Sequence, residues 1–190
     1  MRVFIAAPLP SNLRDQLAAT QRQIDAHIPK DIVRWVRPEQ IHVTCKFLGD
    51  ITSTQSDRLI RSTRAACRGR VPFSIDVRGI GCFPNTQRPR VIWIGLRDAN
   101  HALSALQRAL EEAAFERGFP RAERPFSPHL TLGRLKRRAS GAEIRQVGAV
   151  IQSIQVGPFE PLPVQELQII SSNLTPQGPE YRILRRVALA

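Results

Sequence analysis

The sequence passes twice through the same order of expected elements, and that repeat most limits what the chain can become. In the first half, RVFIAAP (Arg2 to Pro8) is β-branched, aromatic and apolar, which predicts a buried strand. Ser11 to about His27 predicts a helix, because Leu13, Leu17, Thr20/Gln21 and Ile24 recur on one face. VRWV and IHVTCKFLG read as strands. Thr52 with Gln55 then forms a capping-box pattern that opens a helix to about Arg68, and PFSIDVRGIGCF resumes β character. In the second half, RVIWIGL (Arg90 to Leu96) predicts a strand. Asp98 or Asn100 caps a helix carrying Leu103, Leu106, Leu110 and Ala113, which Gly118 and Pro120 end. HLTLGRL predicts a strand, Ser140 with Glu143 another capping box opening a helix to about Ile151, and VQELQIISSNL and YRILRRVALA further strands.

Each half therefore reads strand, helix, strand with a His-x-Thr, helix, strand. Ile5 precedes His42 by 37 residues and Ile94 precedes His129 by 35. Two copies are too few for a solenoid. They fit two α+β lobes, each a sheet with helices on one face, whose opposite faces are left to form a cleft. The competing account is two unrelated α+β segments with coincident spacing.

The repeated tripeptide is a chemical unit. Residues i and i+2 of a strand share a face. His42 therefore projects with Thr44, and His129 with Thr131, while Val43, Cys45 and Phe47, like Leu130 and Leu132, turn toward the apolar side. An imidazole titrates near neutrality, so one histidine accepts a proton while the other donates one. A threonine beside each offers a hydroxyl to a phosphate oxygen without adding charge. Two such units facing one another suit metal-free phosphodiester cleavage. A single His-x-Thr more often reads as a half-buried strand histidine; two at equivalent places in a repeat do not. His27, at a helix end, and His101, in a helix's first turn, have no such hydroxyl partner and read as surface residues. No third ligand cluster supports a histidine–zinc site.

Composition narrows the partners. The chain has 190 residues, 25 arginines and 3 lysines against 16 acids, and a formal charge of +12, so it attracts polyanions. Arginine adds a planar fork suited to phosphate, although arginine-for-lysine bias from a GC-rich genome, with a solvated basic surface, gives the same count. Three scattered cysteines (Cys45, Cys67, Cys82) lack C-x-x-C spacing and suggest neither a disulfide framework nor a zinc site, which points to the cytoplasm. The opening MRVFIAAPLPSNL reads as a strand and turn rather than a signal peptide, and no apolar run approaches a membrane span.

These stretches resemble the two-histidine phosphoesterase superfamily, most closely its bacterial and archaeal RNA 2′,3′-cyclic phosphodiesterases, once described as 2′-5′ RNA ligases. RVFIAAPLP is similar to the family's opening strand and WVRPEQIHVTCKFLGD to its first motif. RVIWIGL and RPFSPHLTLGRL are similar to its third strand and second motif, and LQIISSNLTPQGPEYRIL to its closing strand, loop and tyrosine. The resemblance implies a bilobal α+β fold spanning residues 1–190 as one domain. Its two intertwined lobes are pseudo-twofold related, each with an antiparallel sheet, outer helices and one motif, with the active site in the cleft between them. It implies hydrolysis of RNA terminal 2′,3′-cyclic phosphate to a 2′-phosphate with no metal or nucleotide cofactor. It assigns His42 as proton donor and His129 as proton acceptor, with Thr44 and Thr131 on the substrate phosphate; the symmetry of the repeat leaves the donor and acceptor interchangeable on paper.

The resemblance also puts Arg134 on the phosphate. Strict alternation would turn it to the core, five residues past His129, unless a bulge or strand end at Gly133 turns it back; an exposed strand-end arginine is the alternative. Alternation puts Lys46 on the cleft face as a rim charge and Phe47 in the core, and leaves Trp35, Trp93 and Tyr181 unplaced. The expected partners are RNAs with cyclic phosphate ends, tRNA fragments among them, or small cyclic nucleotides. The expected state is a cytoplasmic monomer. A non-catalytic RNA-binding module and reversible 2′-5′ ligation are the alternatives.

Overall fold

The computed structural model describes residues 1–175 and 178–190; the loop expected from the resemblance falls on Pro176 and Gln177, which lie outside the described residues. In chain order the elements are β1 (Arg2–Pro8), α1 (Ser11–Asp25), β2 (Val33–Trp35), β3 (His42–Asp50), α2 (Ser53–Cys67), β4 (Phe73–Phe83), β5 (Val91–Arg97), α3 (Ala102–Phe115), β6 (His129–Leu135), α4 (Gly141–Ser153), β7 (Leu162–Val164), β8 (Glu166–Thr175) and β9 (Gly178–Ala188).

Local chemistry sets the helix boundaries. Thr52 and Gln55 at α2, and Ser140 and Glu143 at α4, both form the reciprocal capping box that the sequence predicts. At α3 the N-cap position falls on His101, in a left-handed conformation, yet Asp98 does the capping: its carboxylate accepts from the N–H groups of Leu103 and Ser104. Leu13, Leu17, Thr20, Gln21 and Ile24 of α1 are buried, as their helical spacing requires.

All strand pairings are antiparallel, and the strand order is β7-β4-β5-β6-β3-β1-β8-β9, with β2 added beside β6. The order is palindromic about the β6–β3 junction. One lobe comprises β3, β1, β8 and β9 backed by α2 and α3; the other comprises β6, β5, β4 and β7 with α1 and α4 against it. This is the bilobal α+β architecture expected from the repeat. Each half lends one helix to the other: α1 packs on β6, and α3 packs on β3. Gln21 fastens the first exchange by donating to the Leu132 carbonyl at 2.9 Å, and Lys46 fastens the second through Glu111 at 2.6 Å.

The repeat extends to the strand register. Ala7 pairs with Val43 and Ile94 with Leu130, so the equivalent positions are Ala7 and Ile94, each 35 residues before its histidine. Further along, Ile5 pairs with Lys46 and Ile92 with Gly133, with a register shift before each. The extra residues are Cys45 and Leu132, a bulge at the same place in each lobe, and β3 carries a second one at Leu48. Among the described residues no helix is long and apolar enough to cross a membrane.

Candidate active site

The two His-x-Thr strands meet at their middle residues. Val43 pairs with Leu130 across β3 and β6, and both are fully buried. Antiparallel register from that pair sets His42 beside Thr131 and Thr44 beside His129, all four half-buried on the face away from the main core. Diagonal neighbours across such a pair lie about 7–8 Å apart, so the histidines flank a gap.

Both rings are held in one way. His42 Nδ1 lies 2.7 Å from the Gln40 carbonyl, and His129 Nδ1 lies 2.7 Å from the Ser127 carbonyl, each two residues upstream. A carbonyl only accepts, so each Nδ1 carries the hydrogen and Nε2 is the basic nitrogen of the neutral ring. Phe4 stacks on His42, with ring centroids 4.7 Å apart and planes at 22°, and Tyr181 meets it edge-on at 5.7 Å. Phe83 meets His129 edge-on at 4.9 Å.

Burial lowers the pKa of both histidines. It takes His42 to about 4, against the raising effect of the Gln40 bond, and His129's charge lowers it further. His129 is lowered first by burial, opposed by the Ser127 bond, and then by the Arg134 charge. The two imidazoles and the guanidinium thus share one electrostatic neighbourhood. Tyr181 belongs to it as well: burial raises its pKa and Arg134 pulls it back.

The bulges decide which side chains enter the cleft. Beyond each threonine two successive residues face the core, Cys45 with Lys46 and Leu132 with Gly133, and parity is inverted at the next residue of each strand. Arg134 is accordingly exposed on the histidine side. The core face at Gly133 is filled from β2, since a Cβ there would lie 2.7 Å from Val33 and 2.8 Å from the Trp35 ring. The same inversion overturns two expectations for the first lobe. Lys46 is 3% exposed and bonds Glu111 and the Pro120 carbonyl behind the sheet, whereas Phe47 is 66% exposed and tilts against Phe4 at 5.6 Å. Strict alternation misplaced both because the extra residue, Cys45, is invisible to a period of two.

Sequence reasoning left the aromatic surround unassigned. Phe4, Ala6 and Ile170 form a small cluster on the cleft side with Tyr181 against it, separate from the main core. Trp93 and Phe83 pack together at 5.2 Å in the other lobe. The available signal was β1 itself, whose residues are buried on both faces. A strand so buried has a second set of neighbours to satisfy.

The sequence profile described as LigT like phosphoesterase matches residues 7–93 and again 94–181, and the two matches begin at the register-equivalent Ala7 and Ile94. The RNA 2′,3′-cyclic phosphodiesterase of Methanothermobacter thermautotrophicus is 35% identical over 95% of both chains. That of Aquifex aeolicus is 27% identical over 100% of this chain and 97% of its own. Among solved structures, TT0787 of Thermus thermophilus superposes with a TM-score of 0.81 at 27% identity, covering 100% of this chain and 98% of the other. E. coli LigT complexed with 3′-AMP superposes with a TM-score of 0.75 at 25% identity, covering 99% and 97%.

Proposed function

The chain belongs to the LigT-like phosphoesterase family, and from that premise we propose that it hydrolyses RNA terminal 2′,3′-cyclic phosphates to 2′-phosphomonoesters. The observation that carries this reading is the twofold placement of an imidazole and a threonine hydroxyl on either side of the Val43–Leu130 contact. Relatives spanning the whole chain at 27–35% identity bear the name RNA 2′,3′-cyclic phosphodiesterase.

In the proposed reaction His129 Nε2 takes a proton from water as its oxygen attacks phosphorus. The P–O3′ bond breaks, and His42 Nε2 gives its proton to the departing 3′ oxygen. A 2′-phosphate and a free 3′ hydroxyl result, and solvent exchange restores the two protonation states. Thr44 and Thr131 donate hydroxyl hydrogens to the non-bridging oxygens, and Arg134 opposes the negative charge that grows there. No step calls for a metal or a nucleotide cofactor.

The donor and acceptor order follows the resemblance. One observation favours the reverse: burial drives His42 down to about 4, which disfavours its carrying the proton. A substrate with sulfur at the 3′ bridging position separates the two orders, because a thiolate leaves without protonation. Alanine at the donor is then tolerated, and alanine at the acceptor is not.

The proposed substrates are RNA ends, tRNA fragments among them, or small cyclic nucleotides, acted on by a cytoplasmic monomer; three free buried cysteines fit a reducing compartment. Purified protein incubated in EDTA with an oligonucleotide bearing a 2′,3′-cyclic phosphate is expected to give the 2′-phosphate. His42→Ala and His129→Ala are each expected to lose about 10²–10⁴-fold in rate. Tight binding without product, unaffected by either substitution, would instead identify a binding module; 2′-5′-joined product would identify a ligase.

A further inference from the structure

The strand β2 enters the sheet beside β6 with Val33 opposite Leu135, Arg34 opposite Arg134 and Trp35 opposite Gly133. Directly opposed residues of an antiparallel pair share a face. The flanking pairs check the assignment. Val33 and Leu135 are both buried in the main core, and the Trp35 ring covers the core side of Gly133. Arg34 and Arg134, one step away on each strand, therefore both face the histidine side, and both are exposed.

Two guanidiniums directly opposed, with Cβ atoms about 4.5–5.5 Å apart, repel one another. Lys136 and Arg138, on the same strand end, are compensated, and these are not. Asp31, three residues before Arg34, holds Lys136 at 2.6 Å and Arg138 at 2.8 Å, on the strand end beyond Arg134. Among the described residues neither Arg34 nor Arg134 has an ion pair with a carboxylate. A pair of uncompensated arginines beside a phosphoester site is relieved by anionic groups, and the planar guanidinium fork suits phosphate oxygens.

We propose that Arg34 holds the backbone phosphodiester next to the reacting cyclic phosphate, so that the cleft has a second phosphate subsite and distinguishes an RNA end from a lone cyclic nucleotide. This rests on the hydrolase reading and deepens it. Arg134 lies within electrostatic reach of His129 and Tyr181 and serves the reacting phosphate. Arg34, one strand further out, meets the chain as it leaves the cleft. A cyclic mononucleotide has no phosphate to place there; a dinucleotide with a cyclic end has one. Arg34 is on this account a positioning residue that acts on affinity.

The test compares Arg34→Gln with Arg145→Gln, an equal charge loss on α4, using a 2′,3′-cyclic mononucleotide and a dinucleotide with the same cyclic end. Arg34→Gln is expected to raise KM for the dinucleotide about tenfold at unchanged kcat, with the mononucleotide unaffected. Arg34→Lys should recover part of the loss, and Arg145→Gln should change neither substrate. Calorimetric binding of a dinucleotide 2′-phosphate and a nucleoside 2′-phosphate runs in parallel and needs no turnover. There Arg34→Gln should weaken only the dinucleotide, and the slope of its log affinity against log salt should fall by about 0.7. Equal losses on both ligands, no loss on either, or the same loss with Arg145→Gln would overturn the proposal. Absence of turnover by the unmodified protein, with the binding difference intact, would overturn only the hydrolase reading.

Discussion

Val43 and Leu130 face each other where β3 meets β6, both fully buried, and each has a histidine on one side and a threonine on the other. Within the described residues this pair is the register contact between β3 and β6. Two side chains with no polar atoms therefore fix the spacing of four polar ones. Leu130→Ala is expected to destabilise the protein by about 2–5 kcal/mol, the usual range for a leucine cavity, and to lower kcat as the motifs lose their common support. Leu103→Ala, equally buried in α3, should lower stability similarly and leave kcat nearly unchanged. Urea unfolding and initial rates on one cyclic nucleotide check both; equal effects on kcat would refute the special role of the junction.

The Lys46–Glu111 pair is expected to act on stability rather than on nucleic-acid binding. Lys46 Nζ lies 2.6 Å from the Glu111 carboxylate and 2.9 Å from the Pro120 carbonyl, with its side chain 1% exposed. Removing one partner of a buried pair strands the other, at about 3–5 kcal/mol. Lys46→Ala should lower stability by about that amount, and Lys46→Met with Glu111→Leu should recover most of it. The salt dependence of RNA binding should not change in the double variant, and a fall in its slope would return Lys46 to the cleft.

The course of Lys46 and Phe47 shows where the sequence was legible. Caps, helical faces and the repeated motif rest on interactions within a few residues, and Thr52 with Gln55 or His42 with Thr44 could be read directly. The bulge at Cys45 depends on how β1 runs past β3, a contact about forty residues distant in sequence. Parity inverted just past it for Phe47, and just past the matching bulge at Leu132 for Arg134. The exchange of α1 and α3 between lobes was likewise hidden, because helical periodicity says that a face is buried and not against which sheet.

Phe47 and Arg134 hold the same position in the two lobes, one step past the bulge, and carry opposite chemistries. The equivalence predicts different kinetic effects. Arg134→Gln should lower kcat about 10²-fold, since it removes a donor to charge that grows in the transition state. Phe47→Ala should raise KM about tenfold through lost stacking on the base, with kcat nearly unchanged. An abasic cyclic phosphate should be indifferent to the Phe47 substitution. Parallel losses in kcat for both variants would contradict this division of the cleft.

His42 should make stability depend on pH in a window where few other groups act. Its pKa in the folded protein is lowered from 6.5 to about 4, chiefly by burial. The unfolded chain therefore binds the extra proton first. Its contribution is fully present above about pH 6.5, falls as the pH drops through the window, and is gone below about 4. The full shift corresponds to about 3 kcal/mol. His129, lowered for the same first reason, adds in the same direction. Asp31, Asp98, Glu112 and Glu143 have lowered carboxyl pKa values, so their contributions fall from about pH 4.5 downward and overlap only the low end of this window. Urea unfolding of the natural protein and of His42→Asn, measured from about pH 7 to about pH 4.5, separates the contributions. The natural protein should lose stability across that range and the variant distinctly less. Parallel curves would mean that His42 is solvated, and that the Phe4 stack and the Gln40 bond do not hold it neutral.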